Sequence, residues 1–139
     1  MKTLQTTYSF KIRFSEIDAM RVVWHGAYAK YFEDAREAFG KVYSLDYQLI
    51  ERNGFYAPIV DLSFHYKKTL HYGMTPVMTI TYQPTEAAKI VFDYQICDSE
   101  TGEIMATGHS IQVFMNLNYE LVILNPPFYE EWKKNYIEE

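Results

Sequence analysis

Residues 27–43, AYAKYFEDAREAFGKVY, contain the clearest secondary-structure signal in the chain. Apolar side chains recur at helical spacing along one side of this stretch, whereas charged side chains occupy the other side, as in an amphipathic helix. The apolar stripe consists of Tyr28, Tyr31, Phe32, Ala35, Phe39 and Val42. The pattern therefore predicts one helix that buries a single face against another layer of the protein.

Alternating apolar and polar side chains predict strands on both sides of this helix. The alternating stretches are 8–14 before the helix and 60–66, 77–82, 90–97 and 105–115 after it. The links between the later strands are short, which favours hairpins and a largely antiparallel sheet. With a further short helix predicted at 127–137, this order favours an α+β fold in which the sheet packs against one face of the long helix.

Two of these strands also predict which side chains share a face. The first strand places Tyr8, Phe10, Ile12 and Phe14 on one side. The last strand places Met105, Thr107, His109, Ile111, Val113 and Met115 on one side. Both sets follow from the two-residue period of a strand.

Length, charge and composition limit the possible partners. A chain of 139 residues predicts a single domain, 1–139. The net charge is −5 and no basic stripe stands out, so nucleic acid is not an expected partner. The N-terminus lacks an apolar signal-peptide stretch, and no apolar run approaches the ~20 residues that cross a bilayer. The one cysteine, Cys97, permits no internal disulfide, which fits a reducing compartment. From these features together we expect a cytoplasmic protein without a membrane span.

A candidate catalytic group lies in the loop directly before the long helix. Residues 14–28, FSEIDAMRVVWHGAY, place Asp18 seven positions before His25. The first N–H groups of a helix lack intrahelical partners and lie at the positive end of its dipole, so they can bind a developing oxyanion. A carboxylate on the preceding loop could attack a carbonyl carbon or activate a water beside it. Spacing alone leaves an alternative open, because a loop aspartate before a helix is commonly a cap or a solvated charge, and a lone histidine is commonly structural.

Other side chains could carry chemistry, but each has a simpler interpretation. Glu33 and Asp34 are rival carboxylates, yet both fall on the polar face of the predicted helix, where solvated roles are expected. Ser63 and His65 share the less apolar face of a predicted strand. Cys97 has no placed histidine partner and is expected to be an inert thiol. The histidines show no recognisable metal-ligand spacing, so we predict no metal site.

The residues around Asp18 form a longer pattern that continues into the helix. Its members are Asp18, Val23, Trp24, His25, Tyr28 and the run YFEDAR at 31–36. This pattern resembles the signature of the 4-hydroxybenzoyl-CoA thioesterase-like hot-dog family, which includes short-chain acyl-CoA thioesterases of the Tol–Pal-associated type. Looser matches at 66–74 and 102–108 extend the similarity over most of the chain, from about 8 to 115.

The resemblance implies a fold, a reaction and a catalytic arrangement. The fold would be the hot-dog fold, a curved antiparallel sheet wrapped around one long central helix. The reaction would be hydrolysis of an acyl-CoA thioester by water, without a cofactor. Asp18 would act as nucleophile or general base, the backbone N–H at His25 would polarise the thioester carbonyl, and the His25 side chain would orient Asp18 or the substrate. Trp24 and Tyr28 would contact the substrate, and the active sites would lie at the dimer interface of a homodimer or homotetramer.

The charge of the substrate predicts further contacts. CoA and acyl-carrier protein are both anionic, so an enzyme for either needs a local basic patch. Lys67-Lys68 with His71 is the candidate patch, although a solvated strand end is the simpler interpretation. Arg21 replaces the family's glycine, which predicts either a changed loop backbone or a cation near the thioester or the phosphates. The other departures are Ala27, Thr69 and Met74, which stand in place of asparagine, proline and aspartate.

Three other functions stay open at this point. The chain could be a thioesterase for acyl-carrier protein or a hot-dog hydratase or dehydratase. It could also be a non-catalytic acyl-CoA-binding protein that keeps the fold without turnover. The acyl group itself does not follow from the sequence.

Overall fold

A computed structural model describes residues 2–138, so Met1 and Glu139 of the predicted domain 1–139 lie outside the described residues. The elements are β1 (Leu4–Ser9), a 3₁₀ turn (Phe14–Glu16), α1 (Ala27–Tyr43), α2 (Tyr47–Arg52), β2 (Phe55–Tyr56), β3 (Ile59–Tyr66), β4 (Pro76–Gln83), β5 (Lys89–Asp98), β6 (Ile104–Asn116), β7 (Leu121–Val122) and α3 (Pro127–Tyr136). The long strands are arranged in the order β1-β4-β5-β6-β3, and the short β2 and β7 pair with the end of β6. Every pairing is antiparallel, which confirms the predicted sheet.

The long helix begins and ends where the sequence predicts. α1 follows Gly26 and ends at Ser44, which adopts a left-handed conformation with φ of 58°. The predicted stripe is buried except for Val42, whose side chain is 58% exposed. The prediction that Val42 belongs to the buried stripe is wrong, because the stripe advances by four residues at its last step. It runs from Phe39 to Tyr43, whose ring centroids lie 4.7 Å apart.

The central strands face α1 with the residues that alternation predicts. The inward residues of β4 are Met78, Ile80 and Tyr82, and those of β5 are Ile90, Phe92, Tyr94 and Ile96, all buried. The ring of Phe32 stacks on that of Tyr94 with a centroid distance of 4.3 Å. This contact holds the middle of α1 against the centre of the sheet.

At residues 106–110 of β6, the buried residues that face α1 are small. Ala106, Gly108 and Ser110 are buried, whereas most of the larger alternating residues from Met105 to Met115 are only half-buried. A Cβ atom at Gly108 would lie 2.1 Å from the ring of Phe32. The small residues therefore make room for the aromatic face of α1, so the bulkier side of this strand is turned away from the helix.

The predicted first strand, 8–14, is wrong in its extent. β1 covers Leu4–Ser9 and pairs with β4 as far as Ser9 opposite Val77. The Phe10 amide still donates to the Pro76 carbonyl at 3.0 Å, but β4 begins at Pro76 and offers no further partner. Phe14 consequently lies in the 3₁₀ turn, where it is 77% exposed instead of sharing a buried face.

The predicted C-terminal helix is confirmed as α3, which packs beside the end of α1. Trp132 Nε1 donates to the Tyr43 carbonyl at 2.6 Å, and the hydroxyls of Tyr82 and Tyr129 lie 2.6 Å apart. The short elements α2, β2 and β7 carry too few residues for periodicity to show them in the sequence. Between residues 2 and 138, no helix has the length and hydropathy needed to cross a membrane.

Candidate active site

The loop that joins β1 to α1 folds back on itself as a narrow hairpin. At its base the Trp24 amide donates to the Glu16 carbonyl at 3.0 Å. The next pair inward is a single antiparallel bridge between Ile17 and Val23. These pairings place Asp18 at the start of the tip, beside the first turn of α1.

The tip of this hairpin holds the carboxylate of Asp18 in a defined position. The Asp18 amide donates to the Val22 carbonyl at 2.9 Å, and the Arg21 amide donates to the Asp18 carbonyl at 2.9 Å. The Met20 amide donates to Asp18 Oδ1 at 2.8 Å. Within residues 2–138, Asp18 Oδ2 has no hydrogen-bond partner, so one carboxylate oxygen is oriented by the loop and the other is left for a ligand.

Arg21 keeps the backbone shape of the glycine that it replaces. Its φ is 67°, in the left-handed region that glycine enters freely. A residue with a Cβ atom in that region stores roughly 1 kcal/mol of strain. The arginine has therefore not changed the loop backbone, which keeps the left-handed conformation that glycine favours at this position.

The start of α1 presents unpaired backbone donors beside this hairpin. The Ala27 amide donates to the Trp24 carbonyl at 3.0 Å. In the described chain the amides of His25 and Gly26 donate to no protein acceptor. A Cβ atom at Gly26 would lie 1.9 Å from the Trp24 ring, so glycine leaves the space that the ring occupies. Two N–H groups at the positive end of the helix are thus free to bind an anion.

A pocket of about 220 Å³ brings Asp18 together with His25, the first of the two residues with free amides. Its lining includes Asp18, His25, Tyr28, Tyr66, Lys67 and Lys68. The Tyr66 hydroxyl donates to the His25 carbonyl at 3.3 Å, and the rings of Tyr28 and Tyr66 meet edge to face at 4.8 Å. One side of the pocket therefore consists of the loop and the helix start, and the other consists of the end of β3 and the segment that follows it.

The tyrosines of this pocket are hydrogen-bond donors. Burial, with a smaller contribution from Tyr66, raises the pKa of Tyr28 above its ordinary value. Burial also raises the pKa of Tyr66. Both side chains keep their hydroxyl protons at neutral pH and can donate to a carbonyl or phosphate oxygen.

Four of the seven residues predicted for the site line this pocket, namely Asp18, His25, Tyr28 and Lys68. The other three do not. Arg21 lies at the hairpin tip, and the Trp24 ring lies beside that of His25 with a centroid distance of 5.7 Å. His71 is exposed, and its Nε2 lies 2.9 Å from Thr69 Oγ1.

The predicted basic patch is partly neutralised. Lys68 Nζ lies 2.7 Å from Glu103 Oε2, and both side chains are about half exposed. An ion pair of this kind contributes little stability and opens readily to a competing anion. Within the described residues Lys67 makes no ion pair, so it is the more available cation at the pocket rim.

Two much larger pockets lie elsewhere and lack this combination of groups. One of about 540 Å³ lies beside the polar face of α1 and has the rival carboxylates Glu33 and Asp34, together with Glu37, in its lining. Glu33 and Asp34 are exposed, as predicted, and their charges oppose an anionic carrier such as CoA. The other, about 600 Å³, lies between β1 and the 3₁₀ turn. Neither pocket has Asp18 or His25 in its lining, so the small pocket is the better candidate site despite its size.

Two residues of this region did not follow from the sequence as site residues. Tyr66 was part of a strand pattern, and only the pairing of β3 with β6 brings it to the loop. Glu16, two residues before Asp18, is buried under the hairpin. Its charge inside a loop sequence was the one available signal. Among residues 2–138, no three His, Cys, Asp or Glu side chains are grouped as metal ligands.

The known proteins that are similar to this chain include thioesterases. Residues 12–133 match the family model described as the thioesterase-like superfamily. A Bacillus subtilis protein provisionally named an acyl-CoA thioesterase is 35% identical over 86 residues, which cover 62% of this chain and 62% of that protein. A Synechocystis protein provisionally named an esterase is 31% identical over 87 residues, which cover 63% of this chain and 52% of that protein. The chain thus spans less than two thirds of the length of these relatives.

A solved structure is similar to this chain over nearly its whole length. The DHNA-CoA thioesterase from Staphylococcus aureus superposes with a TM-score of 0.84 and is 25% identical. The match covers 94% of this chain and 89% of that one. This likeness confirms the predicted hot-dog fold.

Proposed function

The chain belongs to the thioesterase-like superfamily, and on this premise we propose that it hydrolyses an acyl-CoA thioester to a free acid and CoA. The observation that carries the proposal is the composition of the small pocket. Asp18, with one carboxylate oxygen unpaired, lines it together with His25, which begins the stretch of free amides at the helix start. A carboxylate beside an oxyanion-binding helix start is the minimum that acyl transfer to water requires.

Asp18 can act in either of two ways. As general base it takes a proton from a water whose oxygen attacks the thioester carbon. As nucleophile it attacks that carbon itself and forms an anhydride, which water then hydrolyses. In both routes the carbon–sulfur bond breaks, and the CoA thiolate leaves and is protonated.

The amides of His25 and Gly26 would bind the oxygen that becomes negative when the carbonyl carbon is attacked. Removing one donor of this type from an oxyanion site typically lowers kcat by ~10²–10³-fold. The Tyr66 hydroxyl donates to the carbonyl of His25 and thereby supports the backbone that carries these amides.

Substrate recognition is proposed on the same geometry. Lys67 and Lys68 at the rim suit the phosphates of CoA, and the rings of Tyr28 and Tyr66 offer an apolar wall for the acyl or pantetheine portion. Within the superfamily we assign the chain to the 4-hydroxybenzoyl-CoA thioesterase-like branch, on the pattern from Asp18 to the run at 31–36. The cytoplasmic location expected from the sequence stays a prediction.

The proposal includes a homodimer or homotetramer with active sites at the dimer interface. β3 forms an edge of the sheet, because its pairing in the described chain is with β6 alone. An edge strand offers unpaired backbone groups to a second copy. Tyr66, which lines the pocket, ends this strand and is 50% exposed, so a partner that pairs with β3 would also border the pocket.

The test is thiol release from a panel of acyl-CoA thioesters by the wild type and by Asp18→Asn. The asparagine oxygen can still accept the Met20 amide, so the loop should keep its shape. We expect the wild type to release CoA and the variant to lose ~10²–10⁴-fold in kcat, the range of a lost general base. Near-full turnover by the variant would contradict the mechanism.

The same assay separates the other functions. Acyl-carrier-protein thioesters of the same acyl chains replace the CoA thioesters in a parallel series. Release from these alone would favour the carrier-protein thioesterase. Tight binding of acyl-CoA without thiol release in either series would favour a non-catalytic binding protein.

A further inference from the structure

Two carboxylates are buried among residues 2–138, and they lie at opposite ends of α1. Glu16 is 4% exposed and Asp46 is 8% exposed. A buried charge is tolerated when it is paired and hydrogen-bonded. Each has a lysine of α1 as partner: Glu16 Oε2 lies 3.3 Å from Lys30 Nζ, and Asp46 Oδ2 lies 3.1 Å from Lys41 Nζ.

The carboxylate of Glu16 is bound from three directions. Its Oε1 accepts the Arg13 amide at 2.8 Å and the Tyr31 hydroxyl at 2.7 Å. Burial by itself raises the pKa of Glu16, but these hydrogen bonds and Lys30 outweigh burial and hold the pKa below its usual value. The group therefore stays ionised at neutral pH, and its bonds to α1 are charge-assisted.

The backbone of the same residue fixes the base of the catalytic hairpin. The Glu16 carbonyl accepts the Trp24 amide at 3.0 Å. Asp18 follows Glu16 by two residues, and His25 follows Trp24 directly. Glu16 thus joins α1, through Tyr31 and Lys30, to both strands of the hairpin.

We propose that Glu16 is a positioning residue that sets the distance and angle between the Asp18 carboxylate and the free amides of the helix start. The inference rests on the proposed thioesterase function and deepens it. Glu16 does not line the small pocket, so it acts through the loop and not on the substrate. Misplacement of a reacting group by about 1 Å lowers rates by as much as ~10²-fold.

The test compares Glu16→Ala with Asp46→Ala, which removes the matched carboxylate at the other end of α1. We expect Glu16→Ala to lower kcat by roughly 10–100-fold while KM stays within about twofold, because alignment and not binding is lost. Asp46→Ala should lower the melting temperature comparably and keep the kcat of the wild type. Glu16→Gln should recover most of kcat, since its amide oxygen can accept both hydrogen bonds.

A second readout does not depend on activity. Amide hydrogen exchange should become faster at residues 17–24 in Glu16→Ala and not in Asp46→Ala. Tyr31→Phe, which removes one hydrogen bond to Glu16, should accelerate exchange at the same residues by a smaller factor. If the wild type releases no thiol, the proposed function fails, and exchange at 17–24 still decides the positioning role.

Three results would overturn the inference. One is equal loss of kcat in Glu16→Ala and Asp46→Ala. Another is a rise in KM that accounts for the whole loss in kcat/KM. The last is unchanged exchange at residues 17–24 in Glu16→Ala. Should Glu16→Ala fail to fold, Tyr31→Phe takes its place, with Glu16→Gln as the control that keeps both hydrogen bonds. Faster exchange at residues 17–24 in Tyr31→Phe than in Glu16→Gln would then support the positioning role, and equal exchange in the two variants would overturn it.

Discussion

At the N-terminal end of α1, the buried Glu16 holds a hairpin whose tip remains open, and the amides of His25 and Gly26 have no protein acceptor in the described chain. At the C-terminal end, the buried Asp46 is held by Lys41 in a comparable ion pair, but the helix terminus is closed. The Gly40 carbonyl accepts the amide of Leu45 at 2.9 Å.

The C-terminal carbonyls are further covered by α3. The Tyr43 carbonyl accepts Trp132 Nε1 at 2.6 Å. Polar groups at helix ends usually find partners, because an unpaired group that is withdrawn from water lowers stability. A similar anchor, a buried carboxylate with a lysine, therefore serves packing at the C-terminal end of α1 and, in the proposed mechanism, holds the reactive groups at the N-terminal end.

The largest stability effect should come from filling the closed end. A Cβ atom at Gly40 would lie 2.6 Å from the Cα atom of Asp46 and 2.7 Å from its amide nitrogen. These are backbone atoms that cannot move aside, so Gly40→Ala should lower the free energy of unfolding by about 1–3 kcal/mol. Chemical denaturation measures this loss, and kcat of the folded fraction should stay unchanged.

Gly26→Ala is the matched control at the open end. The three atoms nearest to its Cβ atom would all belong to the Trp24 ring, which is 41% exposed and can turn away. We expect a smaller loss of stability and a lower kcat, because the displaced ring lies beside that of His25. A larger stability loss at Gly26 than at Gly40 would contradict the tighter packing of the C-terminal end of α1.

A smaller effect should appear as a pH dependence of stability at the open end. The pKa of Glu16 is lower in the folded chain than its usual 4.5. Its contribution is therefore present above pH 4.5 and is lost as the pH falls through the folded pKa. The wild type should exceed Glu16→Gln by about 1–2 kcal/mol at neutral pH, and the difference should shrink in acid. Urea unfolding at stepped pH measures it, and a difference independent of pH would contradict the ionised, paired state of Glu16.

The smallest effect is expected at the hairpin tip. Arg21→Gly removes the strain of a left-handed arginine, so stability should rise by up to about 1 kcal/mol, less the entropy of the freer unfolded chain. Thermal unfolding measures the change. A loss of stability would mean that the guanidinium makes contacts that outweigh the strain, and a raised KM for acyl-CoA would identify Arg21 as a substrate cation.

Long periodic elements could be predicted from sequence, and positions set by a distant partner could not. α1, β4 and β5 follow from their own apolar spacing. The end of β1 depends on where Pro76 begins β4, and the small residues of β6 are matched to Phe32 of α1. In both cases the determining atom belongs to another element.

The residues of the candidate site also fall into those that the sequence could predict and those that it could not. Asp18, His25 and Tyr28 could be predicted because they lie in one continuous pattern at the loop and helix start. Tyr66 enters only through strand pairing. Glu16 gains its meaning from Tyr31, fifteen residues away and one turn inside the helix.

The most direct test measures thiol release and unfolding in the same preparations of Asp18→Asn and Asp46→Asn. If the chemistry lies at the open end of α1, Asp18→Asn should lose at least ~10²-fold in kcat with stability within about 0.5 kcal/mol of the wild type. Asp46→Asn should instead lose stability and retain kcat. Near-wild-type turnover by Asp18→Asn, or parallel loss of kcat in both variants, would contradict the assignment.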